Sequence, residues 1–121
     1  MQSILEGDYS PRFVMIETNV RFKPYESFCL KYNPNWVWDG VKWCGASPYA
    51  FKKLFNLHNY VPVWIHLDDM MVIRRDILEN HGYEEPDWSY VYEQSNVPLY
   101  NDHRQGDYFV SELNREEWQE V

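Results

Sequence analysis

The alternation of apolar and polar positions changes period several times along the chain. Arg12–Thr18 (RFVMIET) is a continuous apolar run after the turn pair Ser10-Pro11. Short and rich in branched side chains, it is expected to be a strand buried on both faces. Glu26–Tyr32 alternates more and reads as a short edge strand. At Ser47-Pro48 an N-capping serine precedes a proline at the first helical position. Phe51, Leu54, Phe55 and His58 then recur at helical spacing, so a helix facing a core is expected from about Pro48 to Asn59. Val61–Leu67 and Met70–Arg74 flank Asp68-Asp69 and read as an antiparallel hairpin. Arg75–His81 reads as a short helix stopped by Gly82.

This succession is an α/β order, expected over residues 1–82. Residues 83–121 are acidic, aromatic and turn-rich. Aromatics at this density are seldom left in water, so the tail is expected to wrap the same domain or a partner chain. A strand is expected at Tyr108–Val110. Asn114 with Glu117 fits a capping box for a last helix ending near Trp118.

With 121 residues and a 45% hydrophobic fraction, one domain with its own core is expected, which excludes a disordered chain. No apolar window is long enough to span a membrane, and the first residues lack the pattern of a secretory signal. Cys29 and Cys44 are expected to be reduced thiols in a cytoplasmic protein. His58, His66, His81 and His103 show no zinc spacing with them. The net charge of −8 is unevenly spread. Residues 1–78 hold nine Lys/Arg and eight Asp/Glu, whereas residues 79–121 hold two and eleven. Direct binding to nucleic acid is not expected of such a surface.

Several motifs occur together in order: SPRFVMIETN, then YNPNWVWDGVKWCGAS, then IRRDIL. Over roughly residues 9–80 this resembles the C-terminal part of FkbM-like methyltransferases. The resemblance implies a class I fold, a mostly parallel seven-stranded sheet that binds S-adenosylmethionine. Arg12–Thr18 would be its fifth strand, Ser47–Asn59 the following helix, and the hairpin its last two strands. The fold class expected is therefore α/β, a small three-layer remnant of a methyltransferase-like sheet, with a C-terminal antiparallel hairpin and an irregular acidic tail.

The cofactor half of that fold has no counterpart in this sequence. None of Gly7, Gly40, Gly45, Gly82 and Gly106 forms a Gly-x-Gly turn after an apolar strand. No cofactor is therefore expected, and S-adenosylmethionine only if another chain complements this one. The edge beside Arg12–Thr18 would then need covering. A second copy, the chain's own tail and a different protein are the three expected solutions, with a homodimer foremost.

Candidate chemistry is sparse. Glu17 and Asn19 end the first strand, where α/β proteins bind ligands, but capping and turn roles are the ordinary ones. Asp39, before Gly40, is first a turn residue. Trp36, Trp38 and Trp43 are expected to plug a core edge, with the lining of a substrate or partner cleft as the other reading. Glu84, Glu85 and Asp87 are candidate partner contacts. The leading expectation is a truncated methyltransferase-like protein of phage or mobile-element type, acting through protein contacts. The alternatives are the substrate-side part of a split methyltransferase, and an acidic inhibitor or immunity-type protein that uses these acids with Glu116 and Glu117.

Overall fold

The computed structural model describes residues 1–40, 44–95 and 113–121. The elements are α1 (Gln2–Leu5), β1 (Phe13–Glu17), β2 (Phe28–Leu30), α2 (Pro48–Leu57), β3 (Tyr60–His66), β4 (Asp69–Arg74), α3 (Arg75–Asn80), α4 (Trp88–Glu93) and β5 (Trp118–Glu120). They form a small mixed α/β protein with two antiparallel sheets, in the orders β1-β4-β3 and β2-β5.

The start of α2 follows from its sequence. Ser47 Oγ accepts the N–H of Ala50 at 3.2 Å, and Pro48 occupies the first turn. The same hydroxyl accepts the N–H of Phe28 at 3.0 Å, which ties the helix to β2. Asn59, at φ 62°, reverses the chain directly into β3. The hairpin forms as expected, but its turn falls on Leu67-Asp68, with Leu67 at φ 56°.

One face of the three-stranded sheet carries the core. Val72, Met70, Ile65 and Tyr60 pack there against Phe55 of α2 and Trp88, Val91 and Tyr92 of α4. Asp87 caps α4 by accepting the N–H groups of Ser89 and Tyr90. The Trp88 indole N–H donates to Pro24. A second cluster, Phe22, Phe28, Leu113 and Trp118, fills the space beside β2-β5. Thus α4 and β5, both from the acidic segment, wrap residues 1–82.

Three expectations need correction. β1 is not buried on both faces: its residues alternate between exposed and half-buried, and it lies at a sheet edge. The expected three layers are two among the described residues, because α2 and α4 share one face of the sheet. Residues 114–118 form a turn and the start of β5 instead of a helix. Asn114 Oδ1 accepts the N–H of Glu116, and Trp118 leaves the turn to pack on Phe22. The strand expected at 108–110 lies outside the described residues.

Candidate functional site: an open sheet edge

The hydrogen-bond phase of β1 decides what its outer edge offers. Thr18 donates its N–H to Asp68 O at 2.7 Å, and Arg12 O accepts the N–H of Arg74 at 3.0 Å. The register between these points is unbroken, from Phe13 opposite Ile73 to Glu17 opposite Asp69. In an antiparallel ladder such groups alternate from residue to residue. Even-numbered residues therefore turn toward β4, and Phe13, Met15 and Glu17 direct their N–H and C=O groups outward, where no described residue meets them.

The other edge of the sheet is guarded. Val61 opposite Ile73 faces β4, so the neighbouring Pro62 sits where its missing N–H would point outward. The register also slips between Pro62 and Trp64, leaving Val63 as a bulge. Prolines and bulges are standard protections of an exposed edge. β1 has neither, and only Glu17 carries charge.

The same three β1 residues place their side chains on the sheet face opposite the core. Met15, Met71 and Trp64 form one row across the strands. Met15 is 56% exposed, Phe13 47% and Trp64 37%. The face is closed at one corner, where Val61 is fully buried. Its far end is polar, with Glu17, Asp69 and His66 side by side. An apolar face beside an unpaired edge is a surface suited to association.

The remaining predicted site residues are dispersed. Asn19 is a turn residue: its Nδ2 donates to Cys44 O, its Oδ1 accepts the N–H of Arg21, and its own N–H reaches Ala46 O. Asp39 is exposed. Trp36 is half-buried and Trp38 is 56% exposed, so Trp38 does not plug the core. Trp43 lies outside the described residues. Trp88 and Trp118 do the plugging, from the tail. Glu84 is exposed and Asp87 is spent on capping α4.

Glu85 accepts hydrogen bonds from Asn56 (2.9 Å) and Arg75 (3.0 Å), with Lys52 3.6 Å away. Partial burial pushes its pKa up. The two hydrogen bonds and the two positive charges outweigh this and hold the carboxyl below its ordinary range. Of the five acids that the inhibitor reading uses, Glu85 and Asp87 are thus engaged within the chain.

Cavities lie elsewhere as well. An open apolar groove of about 680 Å³ runs between α1, α2 and β2, lined by Phe51, Leu54, Leu57 and Leu30 among others. Here the predicted apolar stripe of α2 divides, with Phe55 entering the core and Leu54 facing the groove. A polar cleft of about 430 Å³ gathers His58, Arg74, Arg75, Asp76 and Glu79. Its cations are already paired, Arg74 with Asp76 and Arg75 with Glu85. Among the described residues no group of three or more His, Cys, Asp or Glu is placed to hold a metal ion. Nor is any described helix long and apolar enough to cross a membrane.

Comparison of the chain with protein-family models, curated proteins and solved structures finds no match.

Proposed function

We propose that the chain is a protein-contact module whose working surface is the outer edge of β1 and the apolar face beside it. The observation that carries this reading is the contrast between the two sheet edges. One is blunted by Pro62 and a bulge, while the other leaves Phe13, Met15 and Glu17 unpaired among the described residues, two of them apolar and exposed. An edge of that kind is a hazard unless a partner closes it.

The resemblance to FkbM-like methyltransferases gives the edge a rationale. β4 lies between β1 and β3 and antiparallel to both, so the outer edge of β1 is where the first half of a larger sheet would add. In this reading the chain is a methyltransferase-like remnant without its own cofactor site, and contact takes the place of catalysis. The same strand order supports a second reading, the substrate-side part of a split methyltransferase whose other chain pairs with β1.

Photo-crosslinking tests the contact. Benzoylphenylalanine in place of Phe13 is expected to give a protein adduct in the expressing cell, whereas the same group in place of exposed Tyr83 gives none. Equal yields at both positions, or none at Phe13, would count against the module. Calorimetry of the isolated chain with S-adenosylmethionine is expected to show no heat, and saturable heat would restore a cofactor site.

A further inference from the structure

We propose that the partner of the β1 edge is a second copy of this chain, paired antiparallel in a two-fold dimer centred on Met15. The inference rests on the contact reading above and names its partner.

Self-complementarity comes first. The outward groups belong to residues 13, 15 and 17, which are symmetric about 15. A two-fold pairing there sets Met15 against its own copy and Phe13 of each chain against Glu17 of the other. Every outward N–H then meets an outward C=O, making six backbone hydrogen bonds from the geometry of β1. A shift by two residues in either direction leaves part of the ladder unpaired.

Charge supports the same orientation. Glu17 and Asp69 make one end of the edge acidic, and exposed Arg12 makes the other basic. Antiparallel pairing holds the two acidic ends, each with Glu17 and Asp69, at opposite ends of the seam, while parallel pairing would set them side by side. The acidic excess lies in residues 79–121, and residues 1–78 carry a net charge of only +1. The segment that meets its copy is therefore nearly neutral.

Packing across the seam follows from the register. The axis stands normal to the sheet, so both apolar faces lie on one side of a six-stranded sheet. The row Met15–Met71–Trp64 meets its own image at Met15, and each Met15 shields the other from water. A five-residue edge is short, so a dissociation constant of about 10 µM is expected.

Light scattering from about 1 to about 300 µM is expected to show the mass rise from 14.8 kDa to twice that value. Met15→Pro removes an outward N–H without touching the β1–β4 ladder, and it should stay monomeric. Met15→Lys keeps the backbone but sets two charges across the axis, and it should weaken the dimer at least about tenfold. The register is read in a Cys29→Ser, Cys44→Ser background. There Met15→Cys, with oxidised glutathione as the oxidant, should form a disulfide with its own copy. A mixture of Phe13→Cys and Glu17→Cys chains should give the mixed disulfide over either self-disulfide. A monomer at every concentration, or a dimer that both Met15 variants leave intact, overturns the inference. If that monomer still crosslinks through position 13 to a different protein, the contact reading stands and the second copy is excluded; with no adduct at 13, both fall.

Discussion

The indole N–H of Trp88 donates to the carbonyl of Pro24 at 2.6 Å, tying α4 to the loop that leads into β2. The ring itself is buried between Tyr49 and Tyr92. Trp88→Ala removes both the buried ring and the hydrogen bond, and should cost about 3–5 kcal/mol in urea unfolding. Trp38→Ala, at an exposed indole, should cost less than about 1 kcal/mol. The reverse ranking would mean that the loop tryptophans, and not those of the tail, seal the core.

Ser47 supports two elements with one oxygen, accepting from Ala50 in α2 and Phe28 in β2 while fully buried. Ser47→Ala leaves two buried N–H groups without their acceptor. A loss of about 1–3 kcal/mol in the same unfolding measurement is expected. A change within error would show that neither N–H depends on this hydroxyl.

Glu85 gives a pH dependence of definite sign. Its folded pKa lies below the ordinary 4.5, so its contribution is present above that value and is lost as the pH falls through the lower folded value. Glu85→Gln should therefore be less stable than wild type by about 0.5–1.5 kcal/mol near neutrality. The gap should close as the solution is acidified below pH 4.5. A gap that is constant across the acid range would remove the cluster of Asn56, Arg75 and Lys52 as its cause.

Legibility in the sequence followed the range of the forces involved. α2 could be read because Ser47-Pro48 and the spacing of Phe51 and Phe55 are local signals. The hairpin could be read as well, but its turn slipped by one residue because Leu67 takes a left-handed conformation usually reserved for other residue types. β1 was legible as a strand. Its facing was not, since four consecutive apolar residues do not distinguish a doubly covered strand from one awaiting cover. β5 was hidden, because Asn114 and Glu117 carry a helix-start pattern while the pairing of Trp118 with Leu30 spans most of the chain. The open edge was foreseen beside Arg12–Thr18, but which residues point outward depends on the ladder phase, which only pairing with β4 sets.

Amide hydrogen exchange along β1 tests the central claim most directly. In the dilute chain, Phe13, Met15 and Glu17 should exchange quickly while Val14 and Ile16, bonded to β4, are protected; on assembly the three odd-numbered amides should slow as well. Protection of all five at the lowest concentration would mean that the isolated chain already seals this strand, and the account would be contradicted.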